Sequence, residues 1–247
     1  MDNTFSNPRL RDSGRRISRS PYNLNEIPND IIVKLGGYLV YLIYAGRKDI
    51  TGDDFGDAFA YALNGNHLAS PLGIADVELD KLAWSAKTVK QNAPFDAKSV
   101  RLISGRCSPD YSYGITDPHE DVQKTGTAVL NIWNERVNIA QDNYAAVRTA
   151  ILIRSNDLLS YVLFEEENHR YRTSDYVWTT NKNGNLIGTS KETGEHCFTW
   201  QPHGSQFTIH TSVPESAKRF KLKKPPTIDA QGVLKNLNFD ESWISFC

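Results

Sequence analysis

Few of the usual signposts are present in this sequence. Its 28 Lys and Arg are balanced by 29 Asp and Glu, a formal net charge of −1 over 247 residues. No global positive field therefore marks it as a nucleic-acid binder, and any affinity for phosphate has to come from local patches. Cysteine is sparse: Cys107, Cys197 and Cys247 are far apart and odd in number. That pattern excludes a disulfide framework and points to reduced thiols in a cytoplasmic chain. No apolar run reaches the roughly 20 residues of a membrane span, and the longest, 31–45, is broken by Lys34 and Gly36-Gly37. The N-terminus lacks the apolar core of a signal peptide. There is no internal repeat and no evident linker. His196, Cys197, His203 and His210 match no recognised zinc-ligand spacing.

What is present is enough apolar material, 39% with five Trp, to build a full core. The economical division is an arm, residues 1–25, followed by a single domain, 26–247. The arm carries Arg9, Arg11, Arg15, Arg16 and Arg19 among Ser, Asn and Pro. It is either a solvated tail or a flexible segment that follows phosphates.

A first helix is expected from Pro28, capped by Asn29 or Asp30, with Ile31, Ile32, Leu35, Leu39, Leu42 and Ile43 turned inward. A second runs from Thr51 to a stop at Asn64-Gly65, with Phe55, Ala58, Phe59, Ala62 and Leu63 at helical spacing. A long third helix opens within 117–121. Residues 97–104 read as a short amphipathic piece, helical or extended. Strands are expected at 146–154 and 158–166, then at 176–180, 185–189, 197–201 and 206–211. The sum is an α/β (α+β) fold whose C-terminal part is β-rich.

The stretch 71–90 reads as a charged hairpin inside an apolar segment. Residues 73–79 alternate Ile, Val and Leu with Asp76 and Glu78, and residues 82–89 carry Ser85 and Lys87. Because side chains alternate across a strand, Asp76 and Glu78 share one face, as do Ser85 and Lys87. An acid and a lysine on adjoining strands can serve phosphodiester hydrolysis, which needs a divalent cation, an activated water and charge neutralisation at the phosphate. The same pattern also suits a solvent-facing hairpin.

An acidic helix, an apolar strand with Asp, a short connection and a strand ending in (Asp/Glu)-x-Lys occur in that order over about 40 residues. In this the chain resembles the PD-(D/E)xK, restriction-endonuclease-like nuclease superfamily. Ala75 stands in place of the motif's Pro and Ser85 in place of its second acid. The resemblance implies a mixed central sheet flanked by helices, with residues 26–166 as catalytic core and 167–247 as the DNA-reading part. It implies Asp76, Ser85 and Lys87 as catalytic residues and Mg²⁺ held by Asp76 and the Ala86 carbonyl. Some members of the superfamily with Ser at this place take the acid from a nearby helix, which makes Asp54, Asp57, Glu78 and Glu135 the candidates here.

Arg101 and Arg106 form a candidate phosphate-contacting surface, and Gln201, His203 and Gln206 sit in a turn able to meet base edges. The expected activity is that of a Mg²⁺-dependent, sequence-specific double-stranded DNA endonuclease of the type II restriction kind. It would be a homodimer paired with a cognate DNA methyltransferase. RNA or modified DNA as substrate stays open. A non-catalytic β-rich module that binds nucleic acid or protein is the competing expectation, favoured by Ser85 and the near-neutral charge.

Overall fold

The computed structural model describes residues 20–247. The five arginines of the expected arm lie outside the described residues. The last part of that arm is anchored: Tyr22 is buried, and Asn25 exchanges hydrogen bonds with the backbone of Glu165.

Two helices open the described chain, α1 (Asn29–Tyr44) and α2 (Gly52–Leu63). The first starts after Pro28 without a side-chain cap, so neither Asn29 nor Asp30 serves that role. The second stops where its sequence predicts, and both its ends are closed. Thr51 and Asp54 form a reciprocal capping box, and Asn64 adopts the left-handed conformation that ends a helix.

The larger sheet has six strands in the order β1-β2-β3-β5-β6-β11. They are β1 (Asn66–Leu72), β2 (Ala75–Leu79), β3 (Leu82–Lys90), β5 (Ala146–Arg154), β6 (Ser160–Glu167) and β11 (Lys218–Lys221). All neighbours are antiparallel except β3 and β5, which run parallel from Leu82↔Ala146 to Lys90↔Arg154. A parallel pair needs a long crossover. Here residues 91–145 supply it, carrying β4 (Ser99–Arg106), α3 (Pro109–Tyr113) and α4 (Val122–Asn143). Residues 97–104 thus resolve as mainly strand, and the long helix starts at Val122 with Asp121 as its cap.

The smaller sheet is wholly antiparallel, ordered β4-β10-β9-β8-β7. It comprises β4 with β7 (Tyr176–Thr180), β8 (Leu186–Ser190), β9 (His196–Gln201) and β10 (Gln206–Ser212). The two sheets are not successive halves of the chain. β4, from before residue 166, edges the small sheet, and β11, from after it, edges the large one. A closing helix, α5 (Ala230–Asn236), has no counterpart in the sequence expectations, nor have β1 and β11.

One face of the large sheet packs on α1 and α2 through Val77, Trp84, Ala86, Ala150 and Leu152. The other face meets α4 and the small sheet, so it is flanked by a helix only in part. There the apolar contacts form two clusters, one around Trp133, Val147 and Phe198 and one around Ile151, Val162 and Leu102. Between them runs a polar row set by the strand register, Ser85↔Thr149 and Thr149↔Glu166.

Neighbouring carboxylates on opposite faces meet very different surroundings. Glu165, on the helix side, accepts from Tyr22 Oη (2.8 Å) and Trp84 Nε1 (2.6 Å), and Arg148 Nη1 lies 3.2 Å away. Burial still raises its pKa, with Arg148 opposing. Glu166, on the other side, is pushed by burial from an ordinary 4.5 to about 7. Between those values the folded protein holds a proton that the unfolded chain has released, so stability falls as pH rises through the window and levels above it. Urea unfolding at pH 5 and pH 8 should show a pH-dependent loss of at most about 3 kcal/mol that Glu166→Leu removes. An unchanged slope in the variant would contradict this origin.

Candidate active site

The pairing of β2 with β3 runs through Leu79↔Leu82, Glu78↔Ala83 and Val77↔Trp84. One residue further, the Asp76 side chain takes over the bridging. Its Oδ2 accepts from Ser85 Oγ (3.2 Å), the Ala86 amide (2.9 Å) and Lys87 Nζ (3.0 Å). Ser85 and Lys87 reach it because they share a strand face, and the intervening amide points along the ladder direction toward β2. Both partners of the Asp76–Lys87 ion pair are partly shielded, at 18% and 26% exposure. Oδ1 of Asp76 has no hydrogen-bond donor among the described residues.

Across from this carboxylate stands the second wall, made by α2 and β1. Asp57 Oδ1 lies 2.7 Å from Nδ1 of His67. The imidazole fits there because residue 56 is glycine: a Cβ at that position would sit 2.5 Å from Nε2 of His67. The Nε2 edge is therefore turned onto the helix, and the histidine holds Asp57 in place without offering a free nitrogen to the cleft. Asp53, Asp57, His67, Asp76, Ala86 and Lys87 border a common cleft of about 560 Å³.

No family model, no curated protein and no solved structure matches the chain. What the site can do must be read from its own chemistry.

Of the expected residues, Ser85, Ala86 and Lys87 converge on Asp76, and Asp57 borders the same cleft. Two expected ligands are engaged elsewhere. Asp54 is buried in the capping box and is 3.4 Å from Arg47. Glu78 accepts from Tyr144 Oη at 2.6 Å and does not border the cleft. Glu135, also considered as the compensating acid, is exposed on α4 and accepts from Asn138. His67 was not anticipated. The available signal was Gly56, an isolated glycine inside an otherwise strong helix pattern, which often marks a close neighbour.

Among the described residues no three His, Cys, Asp or Glu side chains are grouped tightly enough to hold a metal unaided. The uncommitted donors are carboxylate oxygens, on Asp76 and, across the cleft, on Asp57. An oxygen-only set with room for water fits Mg²⁺, which keeps several waters and takes one or two carboxylates. It does not fit the four nitrogen and sulfur ligands of structural zinc.

Of the expected DNA contacts, Arg106, Gln206 and Gln201 stand side by side across β4, β10 and β9, and His203 is exposed in the turn between the last two. Arg101 is apart from them, opposite His210. His210 and His196 pack with ring centroids 4.0 Å apart and share the Thr199 hydroxyl. Burial, then His196 and Arg101, lower the pKa of His210 to about 4. Cys197 and His203 take no part in that contact, so the four residues form no zinc site.

Gly56→Ala should overpack the His67 ring and cost about 1–3 kcal/mol in thermal or urea unfolding. In a His67→Ala background the same change should be neutral or stabilising by up to about 1 kcal/mol, because alanine is the better helix former. Equal costs in both backgrounds would show that the glycine is not there for the histidine.

Proposed function

We propose that this chain is a divalent-cation-dependent nuclease that cuts double-stranded DNA. The observation that carries the reading is the convergence of Ser85, the Ala86 amide and Lys87 on one oxygen of Asp76, with Asp57 bordering the same cleft. A carboxylate and an ammonium group in a half-shielded cleft form a site for a phosphodiester and its attacking water. Asp76 and Asp57 would hold the cation through their uncommitted oxygens. When bound, it would neutralise charge at the phosphate. Lys87 orients the incoming water and offsets the negative charge that develops on the phosphate oxygens. Ser85 helps hold Asp76 and, as a neutral hydroxyl, leaves the second-acid role to Asp57. His67 positions Asp57.

Sequence-specific restriction of the type II kind is the form of this activity that we favour. Arg106, Gln206, Gln201 and His203 give one end of the small sheet hydrogen-bonding side chains suited to base edges and phosphates. The exposed Val33, Tyr41 and Tyr44 on α1 offer an apolar surface for a second copy. Such an enzyme would act beside a cognate DNA methyltransferase.

Mixed-sequence plasmid incubated with the protein should yield discrete fragments with Mg²⁺ and none with EDTA. Lys87→Ala should lower the rate by at least about 100-fold while DNA retention in gel shifts persists. Asp57→Asn should impair cutting strongly, and Glu78→Gln should leave it within a few-fold of the parent. Full cutting by the Lys87 variant would end the assignment, and retention of uncut plasmid under all conditions would favour a binding module.

A further inference from the structure

A second cleft, of about 500 Å³, lies between the two sheets on the far side of Lys87. Its volume is in the range of pockets that enclose small organic ligands. Trp133, Tyr171, Tyr176 and Phe198 are among its walls. Tyr171 and Tyr176 each meet Phe198 edge-on with centroids 4.7 Å apart, which fixes the rings as a platform for another flat group.

The floor is the polar row of the large sheet. Thr149 donates to Asn168 Oδ1 at 3.0 Å, while Asn168 Nδ2 is buried with no acceptor among the described residues. Asn168 is 8% exposed. Trp133, 3% exposed, likewise keeps a buried Nε1 with no partner among the described residues. Glu166 completes the floor and has no ion-pair or hydrogen-bond partner among the described residues. Buried polar groups are nearly always satisfied, so two unmet buried donors beside a half-buried, unpaired carboxyl in a single cleft imply an absent partner. That partner has to be flat enough for the aromatic walls and polar along one edge.

Lys87 borders both clefts, and Ser85 and Ala86 beside it each border one. A nucleotide whose phosphate lies at Lys87 could therefore extend its base to the inter-sheet side. We propose that the inter-sheet cleft is a nucleobase pocket that receives one unstacked base of the DNA strand held at Lys87. This deepens the nuclease reading and rests on it. Aromatic stacking supplies affinity for any base, and the edge formed by Glu166, Asn168 and Thr149 supplies choice among bases.

The test is calorimetry on the full chain in EDTA with the four deoxynucleoside 5′-monophosphates and with deoxyribose 5-phosphate as the baseless control. At least one nucleotide should bind tenfold or more tightly than the control. Glu166→Leu should lose that preference at least tenfold while its Tm at pH 8 rises, since an unpaired, half-buried carboxyl is replaced by an apolar group of similar size. Four nucleotides no tighter than the control, or a Glu166→Leu protein with undiminished preference, would overturn the pocket. Because no cutting occurs in EDTA, the two readings fail separately. Base-selective binding without cleavage in Mg²⁺ upholds the pocket as a nucleotide site and sinks the nuclease, and cleavage without base-selective binding sinks only the pocket.

Discussion

One carboxylate oxygen, Oδ2 of Asp76, takes donors from three consecutive residues of β3. Hydrogen bonds to a charged acceptor contribute about 1.5–3 kcal/mol each, so this single atom decides where β2 parts from β3. The arrangement is possible only where the ladder ends, because within a regular antiparallel pair the Ala86 amide would be engaged by a backbone carbonyl or by solvent. The Asp76 cluster thus depends on a defect in the sheet. Two strands that continued pairing would have no place for a side chain to meet Ser85, Ala86 and Lys87 together.

The same sheet treats two adjacent glutamates in opposite ways. Glu165 is surrounded by Tyr22, Trp84, Asn25 and Arg148, which come from three separate segments and tie the N-terminal residues to the centre of the sheet. Removing one member of such a buried pair typically costs about 3–5 kcal/mol, so this cluster is part of the scaffold. Glu166 has no comparable escort and stays protonated to about neutral pH. A group that costs stability without a structural return is better explained by a ligand than by folding.

The local features of this chain were legible, and the long-range ones were not. The stop at Asn64 and the bounds of β5 follow from side chains acting on their own neighbourhood, whereas Asp54, read as a candidate ligand, serves the capping box with Thr51. The Asp76–Lys87 contact was readable because a tight hairpin brings nearby residues together. By contrast β1, where Pro71 falls among mixed polar and apolar residues, has no alternating apolar pattern, which suits an edge strand. Losing β1 also meant losing His67. Alternation correctly put Asp76 and Glu78 on one face, but it could not show that Tyr144, 66 residues further on, would claim Glu78. Likewise Arg106, Gln206 and Gln201 became neighbours only through the pairing of β4 with β10, across a hundred residues of chain.

The parallel register of β3 and β5 is the least local feature and governs most of the proposed chemistry. A slip of one residue turns every side chain of a strand to the opposite face. Such a slip of β5 would put Arg148 between the sheets and Thr149 beneath the helices, dismantling the Glu165 cluster and the polar row together. The charged cluster on the helix side therefore does more than stabilise its own face. Arg148 and Glu165, with Trp84 reaching from β3 to β6, hold three strands in the register that aligns Ser85, Thr149 and Glu166 on the other side. The buried ion pair thus also serves as an alignment device for the polar row on the opposite face, and this accounts for a costly charge being kept where an apolar residue would pack more simply.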